Sequence, residues 1–310
     1  MNDLDKNATT VAGQPTGDTT ESGNPTHNAD GTFGSKGQGG EQKSSPLVKA
    51  SLKDLREFLE TYQAGEDDEL LDNFDLNSIT EYKDIKEMSN GELATEIKSH
   101  REFLSNYFDF SNFGVNAFNG DLKLQCSNFR QLKMLVEKYP LTTIGTPSLL
   151  MNSRFERTIA RVTLIANNKG LARVSKLQFN SKIFSSYEEA RAEERGNQFT
   201  GYSTPSDGKK LEVFSLTHEY GHMLETEILN RRGIQMTDLE KGESQIREEI
   251  IQIFNEQNNY SESFLKYMGR YGLSDSAEFF AEAFANMNCG KPNKLGKAME
   301  EWLRRNGGMK

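Results

Sequence analysis

An α+β fold with a small mixed-sheet lobe and a helical C-terminal lobe is predicted by three observations. Two β-rich runs, Arg157 to Ala166 and Ala172 to Phe179, flank the turn-forming cluster Asn167-Asn168-Lys169-Gly170 and read as a hairpin. An apolar, helix-patterned stretch follows from Val213 to Asn230. Four more helical patterns come after it, at Gln245–Asn255, Ser261–Met268, Ala277–Met287 and Leu295–Arg305. Strands first and helices afterwards is the order of an α+β domain.

The front of the chain has a different composition. Residues 1–46 hold eight of the 26 glycines and three of the seven prolines, with Phe33 as their one aromatic residue. Such a segment buries too little apolar surface to offset chain entropy, so 1–48 is expected to be a disordered tail. Residues 49–115 are expected to form a helical appendage. Within it, Leu52 to Ala64 carries Leu55, Phe58, Leu59 and Tyr62 on one stripe, with Gly65 as a stop. Glu66 to Glu69 is an acidic run, and Ser89 to Phe108 a second helix. The main domain is expected over 116–310. At its start Asp121 to Gln125 alternates like a short strand, Asn128 to Lys138 reads as a helix, and Thr142 to Gly145 as a strand after Pro140. Leu177 to Phe184 is read either as an exposed edge able to take an extended peptide or as a plain core strand. A loop region over Ser185 to Lys210 contains a short helix at Tyr187 to Glu194.

A net charge of −9 and a pI near 5.2 argue against a nucleic-acid partner. The two cysteines, Cys126 and Cys289, are far apart and are expected to be free, buried thiols. The first thirty residues lack a basic-then-apolar leader, and no apolar run is long enough for a membrane span. Localisation stays open on these grounds, with virion association or export by a non-classical route as the readings compatible with such an N-terminus.

The helix-patterned stretch contains His218-Glu219-Tyr220-Gly221-His222, which is H-E-x-x-H. Residues four apart share a helix face, so both imidazoles can close on one metal ion. Glu219 lies about 100° round the axis and reaches a water on that ion without ligating it. Two of the chain's four histidines are spent here. Gly221 costs up to ~1 kcal/mol in a helix interior, which points to a close packing approach.

A catalytic zinc site takes three protein ligands and leaves a fourth position open. No histidine follows His222, so the third ligand is a downstream carboxylate or cysteine. Glu278 and Glu282 share one face of an otherwise apolar helix, Ala277-Glu278-Phe279-Phe280-Ala281-Glu282-Ala283-Phe284, where unpartnered carboxylates are costly. Asp275 and Glu278 also have capping-box spacing, so Glu278 has two roles open to it, helix cap or ligand.

The pair of motifs H-E-[FY]-G-H and Y-G-x(5)-E-F-F-A-E-A-F resembles the catalytic domain of anthrax lethal factor and its relatives. That zincin-like metallopeptidase group also holds clostridial proline-specific endopeptidases and toxin-like domains joined to phage head proteins. The match covers Phe214–Leu229 and Arg270–Met287, with a longer stretch between the motifs, Asn230 to Ser263, as the insertion. The resemblance implies zinc held by His218, His222 and Glu278, with Glu219 as general base. It implies Tyr271 as a hydroxyl aimed at the developing oxyanion and Glu282 as a carboxylate orienting a ligand histidine. The toxin's delivery domains have no counterpart here, so its substrate is not carried over.

Two function classes follow. The first is a zinc endopeptidase acting on a polypeptide, as a toxin or effector delivered with a phage particle or a secretion system. The alternative is a phage- or secretion-associated structural or interaction protein whose zinc module does not turn over. Intact Glu219 and Tyr271 favour the enzyme, since a binding module needs neither.

Overall fold

The computed structural model describes residues 10–12, 84–111, 113, 120–152 and 159–309. The expected helix Leu52 to Ala64, its stop at Gly65 and the acidic run Glu66 to Glu69 lie outside these. Met1–Gly17 and Met88–Lys310 form one compact unit, and Asp18–Glu87 another. Of the latter, the described part holds a single 3-10 turn, Ile85–Glu87.

The first unit is mixed α+β. Among the described residues, seven α-helices accompany a small mixed sheet. Helix α1, Asn90–Leu104, opens on a full capping box made by Ser89 and Glu92. It packs on α2, Leu122–Lys138, and the Arg130 Nη2 of α2 donates to the Glu96 Oε2 of α1 at 2.7 Å. Asp121 to Gln125 is therefore not a strand. Its alternation of leucines also fits the first turn of a helix, and Asp121 caps that turn by accepting from the Leu124 amide at 2.8 Å.

The expected strand at Thr142 to Gly145 is absent, because its backbone has a different partner. The amides of Thr142 and Thr143 donate to the buried Glu227 carboxylate at 2.9 and 2.6 Å, and both hydroxyls join them. The strand begins after Pro147. It is part of a sheet whose strands are β1, Thr10–Ala12; β2, Ser148–Asn152; β3, Ala160–Ala166; and β4, Ala172–Asn180. Their spatial order is β1-β3-β4-β2, with β2 parallel to β4 and the other pairs antiparallel. Strand β4 thus has a neighbour on each side, so Leu177 to Asn180 is core strand and not an edge, while the rest of the expected segment, to Phe184, is a turn closed by the Phe184 amide donating to the Asn180 carbonyl at 2.9 Å. Its alternate residues Ala172 and Val174, then Leu177 and Phe179, are buried.

Helix α3, Tyr187–Phe199, runs five residues past its expected end. The motif helix α4, Phe214–Arg231, is buried almost throughout and lies between the sheet and the helices that follow. These are α5, Leu239–Gln257; α6, Ser276–Asn288; and α7, Lys294–Arg305. The expected helix at Ser261 to Met268 is only a 3-10 turn, Phe264–Lys266. Positive φ at Asn259 and Tyr260 separates it from the end of α5. Among the described residues, no helix is long and apolar enough to cross a membrane.

Helices α4 and α6 form the centre of the core. Phe280 stacks edge-on against Trp302 of α7 at 5.8 Å, and Phe284 meets Tyr139 at 4.9 Å. Gly221 sets the distance between α4 and α6, because a Cβ there would lie 2.9 Å from the Ala281 Cα. That contact is backbone and cannot swing away. Gly221→Ala is therefore expected to lower stability by about 1 kcal/mol or more, the overpacking outweighing the gain in helix propensity. Chemical denaturation of the two proteins checks this; an unchanged or higher midpoint would refute the close-approach explanation.

Candidate metal centre

Helix α4 presents His218 and His222 on one face, and α6 crosses it so that Glu278 faces both rings. The Glu278 Oε2 lies 2.9 Å from His218 Nε2 and 3.4 Å from His222 Nε2, and the two nitrogens are 3.1 Å apart. All three side chains are buried. A tetrahedral ion with ligands at ~2.0–2.1 Å sets its donor atoms about 3.3 Å apart, which matches this triangle. The Glu278 Oε2 has no aligned hydrogen-bond donor despite its burial. Three electron-pair donors facing one point, the carboxylate oxygen among them without an aligned donor, fit a cation. Among the described residues this is the one group of His, Cys, Asp or Glu close enough to hold a metal ion.

The choice between cap and ligand at Glu278 resolves into both, divided between backbone and side chain. Asp275 caps α6 by accepting from the Glu278 amide at 2.8 Å. The Glu278 carboxylate is then left to face the imidazoles. Burial opposes its ionisation, but the His222 and His218 rings outweigh that and hold its pKa well below the usual carboxylate range.

Tyr271 sits in the 3-10 turn Tyr271–Leu273 just before α6. Its hydroxyl donates to Glu278 Oε1 at 2.7 Å, and its ring stacks on His218 with centroids 5.7 Å apart. The phenol is thus fixed beside the triangle. Glu282, one turn beyond Glu278, brings Oε1 to 3.2 Å from His218 Nδ1. Its Oε2 accepts from the Thr204 amide at 2.5 Å. Glu282 therefore has the position of a carboxylate that orients the His218 ring through its far nitrogen.

Glu219 is not one of the three facing donors, and its carboxylate is reached by the Val162 backbone of β3. It borders a small cavity of about 10 Å³, room for about one water molecule, with Ile159 and Ala160 of the β3 side and Phe214, Ser215 and His218 of α4. Burial pushes its pKa up to about 7, against the pull of the two histidines. A carboxyl raised in the fold contributes stability at low pH that is lost as pH rises through its folded pKa. Metal-free protein should accordingly lose roughly 3 kcal/mol from this group between about pH 4.5 and 8, since each tenfold change in proton affinity is worth ~1.4 kcal/mol. Glu219→Gln cannot ionise, so metal-free variant and wild type should converge near pH 4 and separate at pH 8, with the variant more stable. Denaturation at both pH values tests it; parallel profiles would show that Glu219 is not desolvated.

The sequence-predicted residues His218, His222, Glu278, Glu219, Tyr271 and Glu282 are thus brought together. Sequence reasoning missed the loop that supports them. Tyr202 stacks on Tyr271 at 5.2 Å, and Thr204 holds Glu282. It also missed Glu225, buried seven residues after His218 and so on the same face of α4. That seven-residue spacing was the signal available. Cys126 and Cys289 are both free and buried, as expected.

No protein family model matches the chain, and neither a curated protein nor a solved structure matches it.

Proposed function

We propose that this chain is a zinc-dependent endopeptidase. The observation that carries the reading is the buried triangle of two imidazole nitrogens and one carboxylate oxygen, with an unligated carboxylate at the next residue of the same helix. Two histidines and a glutamate are a donor set that catalytic zinc uses, with a fourth position left for water. Such an ion, when bound, lowers the pKa of water to ~7 and polarises a carbonyl.

The chain's own groups supply the rest. Glu219, with its pKa near 7, takes a proton from the attacking water and passes it to the departing amine. The Tyr271 hydroxyl, which gives its single proton to Glu278 Oε1 in this structure, redirects it to the oxygen on which charge develops. Glu282 keeps His218 in one orientation while this happens. The more specific reading is a domain of the lethal factor-like zincin group, supported by the two motifs and by the way α4 and α6 bring them face to face. A toxin or effector acting on a polypeptide is the role that this group suggests.

Zinc quantification together with a peptide-library cleavage profile, run on wild type and Glu219→Gln, tests the proposal. One zinc per chain and cleavage by the wild type alone support it. One zinc with no cleavage by either would favour the structural or interaction role. No zinc in either would remove both.

A further inference from the structure

The side of β3 that faces away from β4 runs past Glu219. In an antiparallel pair, alternate residues turn both backbone groups toward the same neighbour. The Asn180 amide donates to the Ile159 carbonyl at 2.8 Å, and the register then turns Arg161 and Thr163 toward β4 as well. Ala160 and Val162 therefore turn their N–H and C=O groups the other way. Both residues belong to the candidate site. Ala160 lines the small cavity with Glu219, and the Val162 backbone reaches the Glu219 carboxylate.

The chain's own N-terminal segment lies on that side. Thr10, Val11 and Ala12 run antiparallel to β3, opposite Thr163, Val162 and Arg161. By the same alternation, Val11 is the residue of β1 placed to exchange backbone bonds with Val162, and the Ala12 amide faces away from β3. Val162 is thus where the N-terminal strand and the proposed general base meet. A segment expected from its composition to lack structure has contributed a strand here, at the catalytic side of the sheet. A strand edge accepts any extended backbone, because the main-chain bonds do not depend on side chains. The present occupant is three residues long, so few bonds hold it and a longer peptide can take its place.

We propose that Thr10–Ala12 is a built-in competitor of the substrate, holding the edge of β3 at Ala160 to Val162 that receives the substrate's extended backbone, so that cleavage requires its displacement. The proposal deepens the peptidase reading and rests on it for its meaning: the substrate is an extended segment of polypeptide, recognised through its main chain, and not a folded surface.

The test is equilibrium binding to the zinc-loaded full chain. The probe is a labelled synthetic peptide with the sequence of residues 7–15, which requires no knowledge of the natural substrate. Val11→Pro should bind it at least tenfold more tightly than wild type, because proline removes the amide that bonds Val162 and so frees the edge. Ala12→Pro should stay within twofold of wild type, because its amide faces away. For library peptides that are cleaved, Val11→Pro should lower KM at least tenfold and leave kcat within twofold. Equal probe binding by wild type and Val11→Pro would overturn the proposal, and so would equal tightening by both proline variants. An unchanged KM in Val11→Pro would overturn it as well. Failure of the peptidase reading shows separately, as library peptides left uncut by zinc-loaded wild type and Val11→Pro alike.

Discussion

Glu219→Gln is expected to keep one zinc per chain and to lose peptide cleavage by a factor of roughly a hundred or more, about 2.7 kcal/mol of transition-state stabilisation. The substitution preserves shape and removes only the ability to take a proton. Glu219 does not belong to the triangle of facing donor atoms, so the metal has no reason to leave. Its carboxyl is desolvated to a pKa of about 7, which is where a general base works best at neutral pH. The measurement is kcat on a cleaved library peptide beside metal content after dialysis. Equal turnover by variant and wild type would remove the general-base role. Loss of zinc in the variant would mean that Glu219 is a ligand.

His222→Ala is expected to do the reverse, losing the metal first and activity as a consequence. Zinc binding on the order of 10 kcal/mol or more is shared among few protein ligands, so removing one of three should weaken affinity by about a hundredfold or more. The variant also leaves Glu278 buried with one imidazole fewer to hold its charge. Glu282→Gln is the milder comparison, since it acts through the far nitrogen of His218 and should cost only about 10–100-fold in zinc affinity. Competition against a chelator ranks the three proteins. An order with Glu282→Gln weaker than His222→Ala would contradict the assignment of ligand and supporting carboxylate.

The parts of the site legible in the sequence were those with a spacing rule behind them. His218 and His222 follow from the helical repeat, and Glu278 and Glu282 stood out as carboxylates on an apolar helix. Local alternation was less reliable. Asp121 to Gln125 fits a strand and a capped helix equally, and the Asp121 side chain decides between them. At Thr142 and Thr143 the deciding partner is Glu227, more than eighty residues away, which no local pattern reveals. Tyr202 and Thr204 were illegible for the same reason. A loop carries them to the site, and nothing about their own neighbours in sequence marks them.

Anomalous diffraction at the zinc edge, from crystals grown with zinc, tests the central claim most directly. A single strong peak about 2.0–2.1 Å from His218 Nε2, His222 Nε2 and a Glu278 oxygen is the result predicted here. A zinc peak elsewhere, or a Glu278 side chain turned away from both rings with no other protein oxygen in its place, would contradict it.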